Sequence, residues 1–199
     1  MTSRLSWRLC LLTLLAVSPT AMADDSVKKL ADDHCASCHG PDGNSTAPQY
    51  PKLAGQQSVY MQHQLDDFKS GKRVSDIMGP VLADLSYDNL ADLADYYSSL
   101  KPSPGKVTDA SLLPVGKNLY LQGNTTSGIP SCDSCHETHG EGDGKFPRLA
   151  GQNIEYLNEQ FKLYAAGQRT NGARVMQAVA ERMTPQEMSA IVQYLTSLP

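Results

Sequence analysis

The sequence predicts an all-α protein built from two tandem domains of the same fold. Three observations support this. Much of the chain has helical periodicity, and no run of alternating β-branched residues indicates a sheet. The two halves align with each other over most of their length, at an offset of 96 to 98 residues. A segment with two prolines and a glycine, 101–106, separates the halves and would end any continuous helix.

The internal repeat defines the domains. Pro-Lys-Leu-Ala-Gly-Gln at 51–56 returns as Pro-Arg-Leu-Ala-Gly-Gln at 147–152. Other matched pairs are Tyr60 and Tyr156, Gln64 and Gln160, Arg73 and Arg169, Met78 and Met176, and Tyr96 and Tyr194. A repeat this long indicates two copies of one domain, since solenoid units are much shorter. We therefore expect a first domain at 24–100, a Pro-containing linker at 101–114 and a second domain at 115–199.

The first 23 residues have the pattern of a secretory signal peptide. Arg4 and Arg8 precede an apolar run from 9 to 17, and 21–23 reads as a small-x-small cleavage site. The apolar run is shorter than the ~20 residues needed to cross a bilayer. An uncleaved membrane anchor is the alternative. Cleavage near Ala23 predicts export, and in a bacterium the compartment is the periplasm.

Matching helices are expected in the two halves. Their predicted bounds are 26–38, 58–69 and 87–100 in the first half, and 115–121, 154–166 and 185–198 in the second. The last has the clearest start, with Thr184 as N-cap, Pro185 at the first helical position and Glu187 completing a capping box. The second half alone has a loop rich in Gly, Asn, Thr and Ser at 123–130.

Each half contains the motif Cys-x-x-Cys-His once, at 35–39 and at 132–136. Two thiols one helical turn apart can add to the two vinyl groups of one porphyrin, and the following His then lies under the iron as an axial ligand. The motif therefore predicts one covalent c-type haem per domain. The predicted attachment and ligand residues are Cys35, Cys38 and His39 in the first domain, and Cys132, Cys135 and His136 in the second.

Cys-x-x-Cys also occurs in thioredoxin-like redox pairs, in structural disulfides and as half of a zinc site. A zinc site here would need ligands about a hundred residues apart in sequence, and it would leave both histidines unexplained. A redox pair does not require the trailing His in both copies. Once the signal peptide with Cys10 is removed, all four remaining cysteines belong to the two motifs.

The second axial position decides whether a haem carries electrons or does chemistry on a substrate. Met or His there gives a six-coordinate iron, whereas an open position allows small molecules to bind. Among the candidates, only Met78 and Met176 occupy equivalent places in the two halves. Each follows its motif by about forty residues, enough for the chain to pass around the ring. We predict them as distal ligands; the alternative is a packing role in the core.

The other histidines and methionines do not recur in this way. Met61 aligns with a leucine and His63 with a glutamate, and His63 remains an alternative ligand. Met183 and Met188 align with leucines, so we expect them on core-facing sides of helices. His34 and His139 lie too close to the motifs to reach the opposite face of a haem, and we expect both at the surface.

Two further pairs of residues are candidates for contacts around the haems. A ligating His donates its other ring N–H to a nearby acceptor. The backbone carbonyls near Pro51 and Pro147 are the candidates for that role. Arg73 and Arg169 are candidates for pairing with haem propionates through charge-assisted bonds; the alternative for both is a solvated arginine at a helix end.

The charge of the chain is acidic and uneven. The formal net charge is -4, and removal of a signal peptide with two arginines and no acids leaves about -6. This excludes a nucleic-acid partner, since no basic stripe is available. Residues 24–100 contain twelve Asp against six Lys or Arg, whereas 101–199 contain nine of each sign. Because negative charge stabilises ferric iron, we expect the lower-potential haem in the first domain.

Two Cys-x-x-Cys-His domains, each followed by Pro-[Lys/Arg]-Leu-Ala-Gly-Gln and a later Met, resemble the cytochrome c4 family. The resemblance covers nearly all of 24–199. It implies two class I cytochrome c domains related by a pseudo-two-fold axis, with two haems close across the interface. It also implies a periplasmic carrier in a respiratory chain, between a quinol-oxidising complex and a terminal oxidase, sometimes associated with the membrane surface.

The second motif departs from the family pattern at one position. The first motif continues with Gly40, as the family expects, whereas the second continues with Glu137. We expect ligation by His136 to survive. The tight backbone path after the ligand, and the electric field at the second haem, are the properties that this substitution affects.

Electron transfer without chemistry on a substrate is the function that the sequence favours. Met ligation on both irons leaves no open position and raises the reduction potential. Two alternatives remain. One is a dihaem enzyme, such as a peroxidase or a thiosulfate-oxidising dehydrogenase, which would need one open iron position. The other is a fixed electron-transfer subunit of a larger dehydrogenase.

Overall fold

A computed structural model describes residues 20–172 and 174–199. In these ranges the chain forms ten α-helices and one 3-10 helix, and its only β-type pairing is an isolated bridge between Asn124 and Ile129. The first half has α1 (Thr20–His34), α2 (Ala36–His39), α3 (Ser58–Lys69), α4 (Met78–Leu82) and α5 (Tyr87–Ser99). The second half has a 3-10 helix (Ala110–Leu112), α6 (Leu113–Gln122), α7 (Asp133–His136), α8 (Ile154–Ala165), α9 (Val175–Ala180) and α10 (Pro185–Ser197).

Each half has its own hydrophobic core. In the first half, α5 packs against α1 and α3, and it buries Leu90, Leu93 and Ala94. In the second, α10 packs against α6 and α8 around the fully buried Tyr120 and the Ile191–Val192 pair. The closing helix of each domain is therefore its central element, and the predicted all-α, two-domain architecture is confirmed.

The first helix was predicted at 26–38, whereas the structure has α1 from Thr20 to His34 and a separate short α2; the other long helices lie close to their predicted bounds. Helix α3 has the predicted bounds, and Thr184 and Glu187 form the predicted capping box at the start of α10. The second domain's first helix was predicted from 115, after a linker that ended at Pro114, but α6 begins two residues earlier, at Leu113. Pro114 lies in the first turn of α6, where its missing N–H has no helical acceptor to bond.

The linker between the domains is held against the first domain and against α10. The Lys52 ammonium donates to the carbonyl oxygens of Ser103 (3.1 Å) and Pro104 (2.7 Å). The amide of Asn44 bonds both the Lys101 carbonyl and the Ser103 N–H. Because these bonds fix its backbone, the linker sets the placement of the domains as well as joining them.

The predicted signal peptide lies largely outside the described residues, which begin at Thr20 within α1. In the part of the chain that the structure describes, no helix has the length and apolar character needed to cross a bilayer.

The two domains meet through reciprocal contacts. The Tyr60 N–H, in the first turn of α3, donates to the carbonyl of Gly144 in the second domain (3.2 Å). The Tyr156 N–H, in the first turn of α8, donates to the carbonyl of Pro48 in the first domain (3.1 Å). Tyr60 and Tyr156 are 96 residues apart in sequence, and so are Pro48 and Gly144, so the two hydrogen bonds are equivalent. Such reciprocity is the pattern of an isologous, two-fold interface, here formed within one chain.

Candidate functional site

Each Cys-x-x-Cys-His motif folds into a single helical turn. Cys35 caps α2 and Cys132 caps α7. The N–H of His39 donates to the Cys35 carbonyl, and the N–H of His136 donates to the Cys132 carbonyl, both at 2.9 Å. The turn therefore gathers two half-buried thiols and one buried imidazole. This is the arrangement that covalent attachment and axial ligation of one porphyrin require.

The orientation of both imidazoles follows from one hydrogen bond each. His39 Nδ1 lies 2.9 Å from the Pro51 carbonyl oxygen, and His136 Nδ1 lies 3.1 Å from that of Pro147. A carbonyl only accepts, so Nδ1 carries the proton and the lone pair is on Nε2. Burial lowers the pKa of both histidines, against the opposing effect of these carbonyls. Both rings are therefore neutral donors to a metal through Nε2.

The thiols do not have the character of a redox pair or of a zinc site. Burial raises the pKa of Cys132 to about 12, with a smaller contribution from Asp133, and burial also raises that of Cys35. A Cys-x-x-Cys oxidoreductase instead needs a thiol with a lowered pKa. All four described cysteines are free, and the described residues contain no cluster of three His, Cys, Asp or Glu able to hold a metal.

Met78 and Met176 occupy equivalent places in the fold. Met78 is the first residue of α4, and Met176 is the second residue of α9. Both are half-buried at the edge of their own domain's core. The two helices are short, and Gly79 and Pro80 break the periodicity of α4, so the sequence did not predict them. The structure thus gives both methionines a matched helical support.

The other methionines and histidines take no part in these arrangements. Met61 is 4% exposed in the first core and Met183 is 9% exposed in the second, and Met188 packs against the second core. Met183 lies in the turn before α10 and not on a helix, because Thr184 is the N-cap and α10 begins at Pro185. The surface histidines are His34, His63 and His139, of which His63 lies 3.5 Å from Asp67.

Arg73 and Arg169 lie in the interface between the domains. The guanidinium of Arg73 donates to the side-chain oxygens of Gln64 (2.8 Å) and Gln160 (2.9 Å). That of Arg169 donates to the same two oxygens, at 3.0 and 2.8 Å. Arg169 is only 5% exposed, so the alternative of a solvated arginine is wrong for it. The structure brings together four residues that the sequence matched as two pairs.

These residues fit c-type haems. Two buried, neutral imidazoles each present Nε2 one turn from two thiols, and none of the four described cysteines forms a disulfide. The guanidiniums of Arg169, which is buried, and Arg73, which is half-buried, bond mainly to oxygens of uncharged amides, so their positive field favours an anionic group nearby. Haem propionates are such groups, and a charge-assisted bond to them remains our proposal for both arginines.

Glu137 follows His136, the predicted ligand in the second domain, in a backbone conformation that normally requires glycine. Its φ and ψ are 64° and 164°, beside 81° and 152° for Gly40 in the first domain. A side chain in this region costs on the order of 1–3 kcal/mol. The hydroxyl of Tyr120 donates to the carbonyls of both His136 and Glu137. The second domain therefore keeps the tight path after its ligand and holds it with a buried tyrosine.

Sequence reasoning missed two functional candidates, Gln56 and Gln152. Each ends a Pro-[Lys/Arg]-Leu-Ala-Gly-Gln segment and is buried between the domains, at 9% and 6% exposure. The available signal was an uncharged polar residue that ends both copies of a repeated segment. Their partners are in the opposite domain, so no pattern within either half identifies them.

Comparisons with known proteins agree with this site. The cytochrome c family model matches residues 25–101 and 115–199. Cytochrome c4 from Azotobacter vinelandii is 38% identical over 178 residues, which cover 82% of this chain and 84% of that protein. A thiosulfate dehydrogenase electron acceptor from Thiomonas intermedia (strain K12) is 36% identical over 170 residues, 83% of this chain and 78% of that protein.

A solved structure extends the likeness to the whole two-domain arrangement. The crystal structure of reduced recombinant cytochrome c4 from Pseudomonas stutzeri matches with a TM-score of 0.84 at 34% identity, covering 88% of this chain and 98% of that one. Two matched domains at this identity imply two covalent c-type haems, as the paired motifs predicted. The chain belongs to the cytochrome c4 family.

Proposed function

We propose that this protein is a periplasmic electron carrier in which each iron is held between one His and one Met. His39 and Met78 would ligate the first haem, and His136 and Met176 the second. The observation that carries the proposal is the repetition of the whole arrangement. Each domain has a buried His bonded to a proline carbonyl, on a Cys-x-x-Cys-His turn, and a half-buried Met at the start of a matched short helix.

The haem iron would take up and release the electron, and the protein chain sets the orientation and environment of its ligands. The carbonyls of Pro51 and Pro147 hold both imidazoles in one tautomer and orientation. Both histidines are buried and both methionines pack against the apolar core of their own domain, so little solvent has to reorganise when the charge on the iron changes. Met ligation raises the reduction potential relative to harder ligands. These properties suit transfer between proteins and not chemistry on a bound substrate.

Spectroscopy of the ferric protein tests the ligand assignment. EPR and optical spectra of the unmodified protein should show two low-spin centres, each with the absorption that is typical of Met sulfur bound to ferric haem iron. Met78→Ala and Met176→Ala should each convert one centre to a form that binds cyanide readily. A high-spin centre in the unmodified protein would instead support a dihaem enzyme.

The core methionines provide matched controls. Met61→Leu and Met183→Leu remove a thioether from each domain at positions buried in the cores. Leucine replaces methionine at a cost usually below about 1.5 kcal/mol. Both variants should keep two low-spin centres. Loss of a centre in Met61→Leu, with Met78→Ala unchanged, would reassign the first distal ligand.

The electron donor has two candidates. The family resemblance implies a quinol-oxidising complex as donor and a terminal oxidase as acceptor. The relative from Thiomonas intermedia is named as the electron acceptor of a thiosulfate dehydrogenase, which favours a dehydrogenase as a second candidate donor. Stopped-flow reduction of the ferric protein by each purified donor distinguishes them. The physiological donor should reduce it with a second-order rate constant that falls with ionic strength if charged surfaces guide docking.

A further inference from the structure

Gln56 and Gln152 form a reciprocal clamp between the domains. The Gln152 side-chain oxygen accepts from the Lys52 N–H (2.8 Å), and its amide donates to the Lys52 carbonyl (3.0 Å). In the opposite direction, Gln56 accepts from the Arg148 N–H (2.7 Å) and donates to the Arg148 carbonyl (2.9 Å). Each glutamine thus bonds both backbone groups of one residue in the other domain.

The clamped residue directly follows the proline whose carbonyl orients the axial histidine. The Pro51 carbonyl and the Lys52 N–H belong to one peptide group. Its oxygen accepts from His39 Nδ1 at 2.9 Å, and its N–H donates to Gln152 at 2.8 Å. A continuous chain of two hydrogen bonds therefore joins the ligand of the first haem to a side chain of the second domain.

The same chain runs in the opposite direction. The peptide group between Pro147 and Arg148 accepts from His136 Nδ1 at 3.1 Å and donates to Gln56 at 2.7 Å. The orientation of each amide is fixed, because its oxygen also accepts the N–H of the next residue, Asn153 or Gln57, at 2.9 Å. The carboxamides cannot rotate without losing these bonds.

The physical effect of the clamp follows from the conjugation of the peptide group. A hydrogen bond at the N–H polarises the C=O of the same group and makes its oxygen a stronger acceptor. A stronger acceptor draws the His Nδ1 proton and increases electron donation from Nε2. More donation stabilises ferric iron. Removal of the clamp should therefore raise the reduction potential of the haem whose histidine it serves.

We propose that Gln152 sets the reduction potential of the haem in the first domain, and that Gln56 sets that of the haem in the second. Both are positioning residues that act through a peptide group and not by contact with haem. The proposal rests on the assignment of His39 and His136 as axial ligands. It makes docking of the two domains part of the tuning of each haem, since neither clamp exists in an isolated domain.

Crossed redox shifts test the proposal. In the intact dihaem protein, Gln152→Ala should raise the potential of the first haem and leave the second unchanged. Gln56→Ala should do the reverse. Redox titrations followed by NMR resolve the two haems through the methyl signals of Met78 and Met176. In the ferrous protein, the Nδ1–H signal of the served histidine should move upfield as its bond weakens, and the other should stay in place.

A matched control separates tuning from loosening of the interface. Gln57 also donates two hydrogen bonds across the interface, to the carbonyls of Glu141 and Gly142, but it does not touch either clamped peptide group. Gln57→Ala should leave both potentials unchanged. Gln152→Met keeps the volume of the side chain without its polar groups, and it should raise the potential of the first haem in the same way. It replaces Gln152→Ala if the alanine variant folds poorly.

The outcomes are distinguishable from failure of the proposed function. If the unmodified protein lacks two low-spin His/Met centres, the ligand assignment fails. If those centres are present, the clamp proposal is overturned by three results: no shift in the Gln152 variants, a shift of the haem in the same domain, or an equal shift of both haems.

Discussion

The hydroxyl of Tyr120 donates to the carbonyl of Glu137, and this bond supports a non-glycine residue that follows His136, the predicted ligand, with a positive φ. In the first domain Gly40 takes the same path, and a Cβ there would meet the nearest atoms, in Asn44 and Asp42, only at 3.4 Å, an ordinary contact. The cost at position 137 therefore comes from the backbone angles and not from crowding.

Glu137→Gly should stabilise the second domain. Relief of the strained conformation gains on the order of 1–3 kcal/mol, and the extra freedom of glycine in the unfolded chain offsets roughly 0.5–1 kcal/mol. We expect the free energy of unfolding to increase by about 1 kcal/mol, measured by denaturant titration at constant m-value. Gly40→Ala, the converse change, should destabilise the first domain. A Glu137→Gly variant that is less stable than the unmodified protein would show that the backbone at Glu137 is not strained.

Arg169→Ala should weaken the interface between the domains. Arg169 is buried and donates to four side chains, of which Tyr60 and Gln64 are in the first domain and Gln160 and Asn171 are in its own. Hydrogen bonds to a charged group contribute about 1.5–3 kcal/mol each, non-additively. We expect a loss of about 3 kcal/mol or more in the free energy of unfolding.

In Arg169→Ala, the loss of stability should be accompanied by separation of the two domains, seen as an increased radius of gyration in X-ray scattering. Arg182→Ala is the control, because Arg182 is exposed and its guanidinium donates to the carbonyl of Ala178 in its own domain. Its change should stay within about 0.5 kcal/mol. A compact Arg169→Ala variant with unchanged stability would show that the guanidinium contributes nothing to docking.

Glu187 should make the start of α10 sensitive to acid. The Thr184 N–H (2.8 Å) and the Asn124 amide (2.7 Å) donate to its carboxylate, and these bonds lower the pKa of Glu187 from its ordinary value of 4.5. A carboxyl with a lowered folded-state pKa stabilises the fold above its unfolded pKa. This stabilisation is lost as the pH falls below 4.5 and through the lower folded value.

A comparison of unfolding free energies at pH 7 and pH 3 tests this. Glu187→Gln keeps most of the hydrogen bonds without the charge, so the stability difference between unmodified protein and variant should shrink as the pH falls. The first domain offers a neutral counterpart: Asn89 completes the equivalent capping box with Ser86 at the start of α5. Asn89→Ala should lower stability by the same amount at both pH values.

The first haem should have the lower reduction potential. Its domain has twelve Asp against six Lys or Arg, whereas the second half of the chain is balanced. Excess negative charge stabilises ferric iron, and exposed charges are screened by salt. We expect the separation of the two potentials to narrow from low to high ionic strength in redox titrations. A first haem with the higher potential at low salt would contradict this assignment.

The sequence predicted the parts of this protein that depend on local pattern. Helix α3 and the capped start of α10 follow from periodicity and capping residues, and the two domains follow from the repeat. Helix α4 was missed because Gly79 and Pro80 leave too few residues for a periodic pattern. The Gln152 clamp was missed because its partner is 100 residues away and meets it only after the domains dock.

The site residues also divide into those that a sequence pattern predicts and those that depend on docking of the domains. The cysteines and histidines were proposed from spacing, and the methionines from comparison of the two halves; their ligation remains a prediction for spectroscopy. The location of Arg73 and Arg169 in the interface could not be predicted from the sequence, because burial there depends on the shape of both domains. A matched pair of arginines indicates a shared role but not its location.

The reciprocal contacts between the domains are those of a homodimer, and the linker changes what such a dimer requires. A covalent tether holds the second half at an effective concentration of about millimolar. A surface made of amides, hydroxyls and guanidiniums then needs less intrinsic affinity to keep the two halves together than it would need between free molecules. Once the halves are joined, each is also free to diverge, and Glu137 and the acidic first domain are differences that an assembly of identical subunits cannot have.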